Sequence, residues 1–271
     1  MSIIEAIVLG LVQGLTEFLP VSSSGHLVLL QKIFGITTPA LFLDTMLHAG
    51  TLIAVMTVLW QDIWAILKKI IQPLTAFLII ATIPAVIAAL AFGDAIERAF
   101  ESGKYLGFCF LITSVILIIA EKLSRANTVN VFKKQENMNF LDALIIGIMQ
   151  AIAIIPGISR SGATISGALF RKLERGFAAR FSFLLSIPAI LGALILQVKD
   201  LVKSGAADTA GESIGTAAVA AGTVTAAIVG FFAVKLMLKI IREKSLYGFA
   251  IYTAVVGILI LIDRAVSHFV F

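Results

Sequence analysis

The sequence predicts an all-α, polytopic membrane protein, and three observations carry that prediction. Hydrophobic residues make up 59% of the chain and mean hydropathy is +1.05, against about 45–50% apolar residues in soluble domains. The apolar residues gather into six runs, 42–60, 75–93, 105–120, 181–198, 214–234 and 247–262. Each approaches the about 20 residues that carry a helix across the hydrocarbon. The charges between these runs are sorted into short loops. Because apolar runs fill the whole length, 1–271 reads as a single integral membrane domain.

Loop charge sets the expected topology. Basic residues cluster at 68–69, 122–134, 171–180 and 235–244, whereas 94–104 and 199–212 are mixed or acidic. The positive-inside rule puts the first group in the cytoplasm and the second outside, and the six spans then alternate consistently. This use of the basic residues leaves no reason to invoke a nucleic-acid partner for the net charge of +5. The N-terminus is not expected to be a secretory signal, since Glu5 stands where a basic start belongs. Cys109, the one cysteine, lies in an apolar run and is expected to serve packing.

Two polar, glycine-punctuated clusters do not fit ordinary spans. The first contains Gln13, Glu17, Pro20, Ser22, Ser23, Ser24, Gly25 and His26; the second contains Pro156, Gly157, Ser159, Arg160, Ser161, Gly162 and Thr164. Each follows an apolar stretch (3–19 and 140–155) that proline breaks. Such polar, irregular backbone is tolerated at membrane depth only where protein or a cavity covers it. Two re-entrant helical hairpins are therefore expected. The second is flanked by basic loops and enters from the cytoplasm; three spans separate it from the first, which enters from outside.

The hairpins also look duplicated. The stretch from Glu5 to Gln13 matches that from Asp142 to Gln150 at a spacing of 137, and Gly25 and Gly162 follow. Ala49-Gly50-Thr51 recurs as Ala221-Gly222-Thr223, which implies an insertion in the second half. The expected architecture is an inverted-topology repeat, one unit about 1–120 and the other about 140–271, with broken helices and a ligand site between the halves.

The residues in the clusters suit phosphate chemistry. Gln13 and Glu17, four apart, share a helical face. Ser23 and His26 are close enough to meet, and either His26 or Glu17 could take the serine proton that makes the hydroxyl a nucleophile. Arg160 offers a planar fork of donors for phosphate oxygens. A charge at the bilayer centre costs about 2.5–3.5 kcal/mol on insertion scales, and an ion pair at 4 Å returns roughly 4 kcal/mol at an effective dielectric of 20. Ser159, Ser161 and Thr164, with backbone N–H groups around Gly157 and Gly162, could complete an anion nest. The apolar surroundings point to a lipid as the carrier of that phosphate.

Blander readings account for other residues. Ser24, Ser166 and Gly167, taken singly, suit close helix packing. Asp44 and His48 share a helical face, as an interfacial ion pair or as part of a site. His268 is expected in solvent, and the run 171–175 reads as a topogenic loop.

Both clusters resemble those of the undecaprenyl-diphosphate phosphatase family, bacterial membrane proteins linked to bacitracin resistance. The first motif reads Gln13, Glu17, Phe18-Leu19-Pro20-Val21-Ser22-Ser23 and Gly25-His26; the second runs Pro156 through Thr164. The resemblance covers essentially the whole chain. It implies hydrolysis of undecaprenyl diphosphate to the monophosphate and inorganic phosphate, which recycles the lipid carrier for peptidoglycan and other envelope polymers. It also implies a divalent cation, Mg²⁺ or Ca²⁺, and a site opening to the outer side of the bacterial plasma membrane. Carried over by position, Ser23 is the nucleophile, with His26 as base or rival nucleophile. Glu17 activates it or holds the metal, and Arg160 binds phosphate. Gln13, Ser22, Ser24, Ser159, Ser161 and Thr164 surround the substrate. Gln13 stands where some members have glutamate, so Glu17 is the one carboxylate in the motif. Oligomeric state is not readable, a homodimer being one option.

Two competing readings exist. Acid-phosphatase-like lipid phosphatases place a histidine six residues after the arginine, where this chain has Ser166. A transporter or flippase for a polyprenyl-phosphate lipid could use the same inverted repeat. The serine, histidine and glutamate together favour hydrolysis, because recognition alone needs no activated nucleophile.

Overall fold

Helix caps, with Pro20 and Pro156 in the two polar clusters, already mark where the chain must change direction, and the computed structural model follows them. It describes residues 1–36, 41–126, 132–203, 215–267 and 270; His268 and most of the 199–212 loop lie outside these. Among the described residues the chain forms α-helices and no β-strand: α1 (Ile3–Thr16), α2 (Ser23–Ile33), α3 (Leu41–Val58), α4 (Trp60–Lys68), α5 (Pro73–Ser102), α6 (Leu106–Arg125), α7 (Phe140–Ile152), α8 (Arg160–Phe170), α9 (Arg175–Lys203), α10 (Thr216–Glu243) and α11 (Tyr247–Ile262). Among the described residues five helices are long and apolar enough to span a membrane, and α3 with α4 makes a sixth, bent by 74°. The protein is a multi-pass membrane protein.

The bend falls at the end of the apolar run 42–60, most of which forms α3. At Leu59 the backbone leaves helical geometry, and α4 turns aside with Trp60 and Trp64 exposed. Lys68 lies over the Trp64 ring, the pattern of a helix end resting in the interface.

The re-entrant hairpins are present, and their equivalence runs through their caps. In α1 the Ser2 hydroxyl and the Glu5 carboxylate each accept from the other's backbone N–H. Asn139 and Asp142 repeat that capping box on α7. Ser22 caps α2 by accepting from Gly25 N–H, and Ser159 caps α8 by accepting from Gly162 N–H. Each pair sits at the same spacing of 137.

Glycines then set where each hairpin packs. A Cβ on Gly10 would run into the Gly222 carbonyl of α10, and one on Gly147 would lie 2.7 Å from the Ala81 carbonyl of α5. Gly10 and Gly147 are again 137 apart. So α1 packs on a helix of the second half while α7 packs on a helix of the first, which interlocks the halves. The two Ala-Gly-Thr segments lie at helix crossings. They fall on α3 and α10, where a Cβ on Gly50 would sit 2.5 Å from the Thr223 carbonyl. A Cβ on Gly222 would instead lie 2.9 Å from the Ala6 carbonyl of α1, so each of these glycines serves close helix packing.

The ends of the molecule differ. At one end Glu121, 1% exposed, accepts from Arg125, from Arg175 and from Leu246 N–H. Arg175 also donates to the carbonyls of Ile241 and Lys244. Nearby, Asp142 accepts from Lys133 and Arg171. This end gathers the basic loops. The hairpin of α7 and α8 enters from it, and α1, running alongside α10 toward it, enters from the other.

Candidate active site

The two hairpins meet at their breaks. Glu17 continues α1 by one residue, its N–H donating to the Gln13 carbonyl 3.0 Å away, and the chain then turns through residues 18–22. In the second hairpin residues 153–159 make the break, and Gly157 has φ +93. A Cβ there would strike Cys109 Cβ at 2.7 Å, so glycine is required twice over, by conformation and by space. A Cβ on Gly25 would lie 3.1 Å from Gly157 Cα. The Ser161 hydroxyl donates to the Leu19 carbonyl at 2.8 Å, which stitches one tip to the other.

Glu17 is the hub, 6% exposed. Its Oε2 accepts from the Ser23 hydroxyl at 2.6 Å and from Gln13 Nε2 at 3.0 Å. Its Oε1 accepts from Arg160 at 3.0 Å. The i, i+4 spacing on α1 thus places Gln13 as expected. Arg160, at the first position of α8, brings the cation from the other half. Two polar atoms beside Glu17 are buried without a protein partner: Gln13 Oε1 and the second terminal nitrogen of Arg160. Buried polar atoms are nearly always paired, so one acceptor and one donor are left for a ligand. The first turns of α2 and α8 add backbone N–H groups and the positive ends of two helix dipoles.

The other candidates divide. Ser22 has φ +68, a left-handed conformation that costs a residue with a side chain about 1–3 kcal/mol. Its hydroxyl caps α2 and lies 3.3 Å from the Ser24 hydroxyl. Ser159 and Ser161 bond to each other at 3.2 Å and shape the second tip. Thr164 is turned away from Glu17. Its hydroxyl bonds to the Arg160 carbonyl and, at 2.6 Å, to the Ser182 hydroxyl of α9. His26 does not reach Ser23 either. Its Nδ1 lies 2.7 Å from the Ser22 carbonyl and its Nε2 2.8 Å from the Tyr252 hydroxyl, so both ring nitrogens are taken.

Two residues join the site that motif reading did not assign to it. His48 Nε2 stands 3.8 Å from Glu17 Oε2. Its Nδ1 donates to the Asp44 main-chain carbonyl, and the Asp44 carboxylate takes its hydrogen bond from Gln31. Only the shared face of Asp44 and His48 hinted at this. Tyr252, on α11, left no signal in the sequence at all.

A divalent cation suits part of this donor set. Gln13 Oε1, the Glu17 carboxylate and the Ser23 hydroxyl are oxygen donors of the kind Mg²⁺ and Ca²⁺ prefer. Among the described residues no three His, Cys, Asp or Glu side chains converge on one point. A cation here would therefore complete its shell from water and from phosphate oxygens of a ligand, as Mg²⁺ commonly does.

Residues 6–259 match the family described as bacitracin resistance protein BacA. The chain belongs to the BacA family. An undecaprenyl-diphosphatase of Carboxydothermus hydrogenoformans is 47% identical over 99% of this chain and 100% of its own length. One from Halothermothrix orenii is 44% identical over 97% and 98%. One from Methanosphaera stadtmanae is 38% identical, again over 97% and 98%. Near-complete coverage on both sides makes this BacA-family chain alike to these proteins from end to end, both hairpins included.

Proposed function

We propose that the chain hydrolyses undecaprenyl diphosphate to undecaprenyl phosphate and inorganic phosphate. One observation carries the site assignment: the Ser23 hydroxyl donates to Glu17 at 2.6 Å while Arg160 from the other hairpin holds the second carboxylate oxygen. A serine bonded to a base and facing a cation is arranged for attack on phosphorus.

The Ser23 oxygen attacks the terminal phosphorus, and its proton passes to Glu17. The bond from that phosphorus to the bridging oxygen breaks, and undecaprenyl phosphate leaves as an anion without needing a proton. The free nitrogen of Arg160 binds the phosphoryl oxygens, where negative charge builds up. Glu17 releases its proton to solvent and then takes one from a water that attacks the phosphoserine. That proton returns to the Ser23 oxygen as inorganic phosphate departs. A cation held by Glu17 and Gln13 would neutralise charge on the diphosphate. The polyprenyl tail stays in the bilayer against the apolar outer surface. Loop charge supports a site open to the outer side of a bacterial plasma membrane, where hydrolysis recycles the carrier for peptidoglycan synthesis and confers bacitracin resistance.

The test is phosphate release from undecaprenyl diphosphate by the purified protein in detergent, with and without EDTA. Release by wild type that EDTA abolishes, with Ser23→Ala at least about 10³-fold slower, is the expected result. A Ser23→Ala protein that turns over at the wild-type rate would remove Ser23 from the mechanism. Lipid binding without release in any metal would favour the carrier reading instead.

A further inference from the structure

Tyr252 occupies an unusual place for a residue that is 45% exposed on a membrane helix. Its hydroxyl is 2.8 Å from His26 Nε2, and the two ring planes are parallel within 5°. The other face of the contact is fixed by Phe110, whose ring meets that of His26 edge-on at 5.2 Å. A carbonyl oxygen can only accept, so His26 Nδ1 carries the hydrogen that goes to Ser22 O at 2.7 Å. In the neutral ring Nε2 is then the acceptor, and Tyr252 donates to it.

The Ser22 carbonyl belongs to the planar peptide that joins Ser22 to Ser23. Fixing that oxygen fixes the orientation in which Ser23 leaves the turn, at a point where Ser22 holds φ +68 and ψ +93. An unusual conformation of this kind persists only where neighbours over-determine it. From Ser23 the line continues to Glu17 at 2.6 Å. The support behind Tyr252 is rigid. A Cβ on Gly257 of α11 would sit 2.7 Å from the Gly107 carbonyl of α6, and Ser114 of α6 donates to the Ala250 carbonyl at 2.7 Å.

We propose that Tyr252 is a positioning residue for the phosphatase reaction: through His26 it clamps the Ser22–Ser23 peptide so that the Ser23 hydroxyl meets Glu17. Helix α11 thereby sets the nucleophile of the first hairpin. This rests on the phosphatase reading for its kinetic consequence, but the clamp itself has an independent readout.

The variant is Tyr252→Phe, which keeps the ring and removes only the donor. Imidazole ¹⁵N NMR of histidine-labelled protein in detergent reads the clamp without turnover. Wild type should show His26 as the Nδ1–H tautomer with a hydrogen-bonded Nε2, and Tyr252→Phe should shift that Nε2 resonance. An identical spectrum in the variant overturns the proposal. In phosphate release, Tyr252→Phe should lower kcat about 10–100-fold, the scale of a misplaced reacting group, with KM within about twofold and Tm unchanged. In a His26→Ala background the same substitution should have no further effect on kcat. A wild-type kcat, or a full further loss in the His26→Ala background, would show that Tyr252 does not act through His26. If wild type releases no phosphate at all, the phosphatase reading fails, and the NMR comparison still decides the clamp.

Discussion

The two hairpins are built on one plan and carry opposite chemistry. Both begin with a capping box, both press a glycine into a helix of the other half, and both restart with a capping serine. At the spacing of 137, Gln13 corresponds to Gln150, Ser22 to Ser159 and Gly25 to Gly162. Yet Glu17 corresponds to Ile154, Ser23 to Arg160 and His26 to Ala163. In the proposed mechanism the first hairpin supplies the base Glu17 and the nucleophile Ser23, and the second supplies the cation Arg160. A duplicated scaffold entering from both sides places the same position of each copy at a shared centre. Divergence at three positions then turns symmetry into complementarity, and neither half holds a complete site.

The largest effects should come from breaking that complementarity. Glu17→Gln keeps the shape of the hub and removes its charge. Turnover should fall about 10²–10⁴-fold, the usual worth of a general base. Arg160→Ala should cost about 10²–10³-fold, as for loss of a preorganised charge donor. Phosphate-release kinetics on protein whose Tm is unchanged would check both, and an active Glu17→Gln would separate the first hairpin from the chemistry.

A second experiment tests the shared plan rather than the difference. Gly10→Ala and Gly147→Ala each force a Cβ against backbone of the opposite half. Backbone yields little, so each should destabilise by about 1–3 kcal/mol, read as a lowered Tm in detergent. A large loss at one and none at the other would mean that the halves do not interlock equivalently.

The smallest effect should discriminate the paired glutamines. Gln13→Glu sets a second carboxylate beside Glu17 where an oxygen donor is already free, so turnover should stay within about tenfold, with altered divalent-cation dependence. Gln150 instead donates to the Ala81 carbonyl in a buried site. There the same change loses a donor and should cost about 1–3 kcal/mol of stability. The Oε1 atoms of both glutamines are buried without a partner, so equal behaviour of the two variants would argue against a ligand role for Gln13.

Much of this was legible in the chain because membrane solvation writes strong signals. The spans follow from hydropathy, since unsatisfied backbone cannot face lipid. The hairpins follow from proline and polar residues inside apolar stretches, and Gln13, Glu17, Ser23 and Arg160 stood out as polar groups with no cheap place at that depth. Other residues misled for equally physical reasons. Thr164 sits in the second motif, but a helical threonine readily bonds the carbonyl one turn back, and its hydroxyl ends on Ser182. His26 is near Ser23 in sequence, yet the unusual Ser22 backbone turns its ring toward α11.

The sequence by itself determined the class of molecule, the two broken hairpins and their matching spacing, and it singled out Glu17 and Arg160 as charges that need a partner at membrane depth. Each of these rests on local composition or spacing, which lipid and helical periodicity constrain strongly. Only the tertiary structure decided who touches whom across the halves: Arg160 on Glu17, Ser161 on Leu19, His48 beside Glu17 and Tyr252 on His26. Tyr252 lies 226 residues from His26, on an apolar helix that reads as an ordinary span. No pattern within a helix encodes such a contact, because its partner is chosen by how separate helices pack.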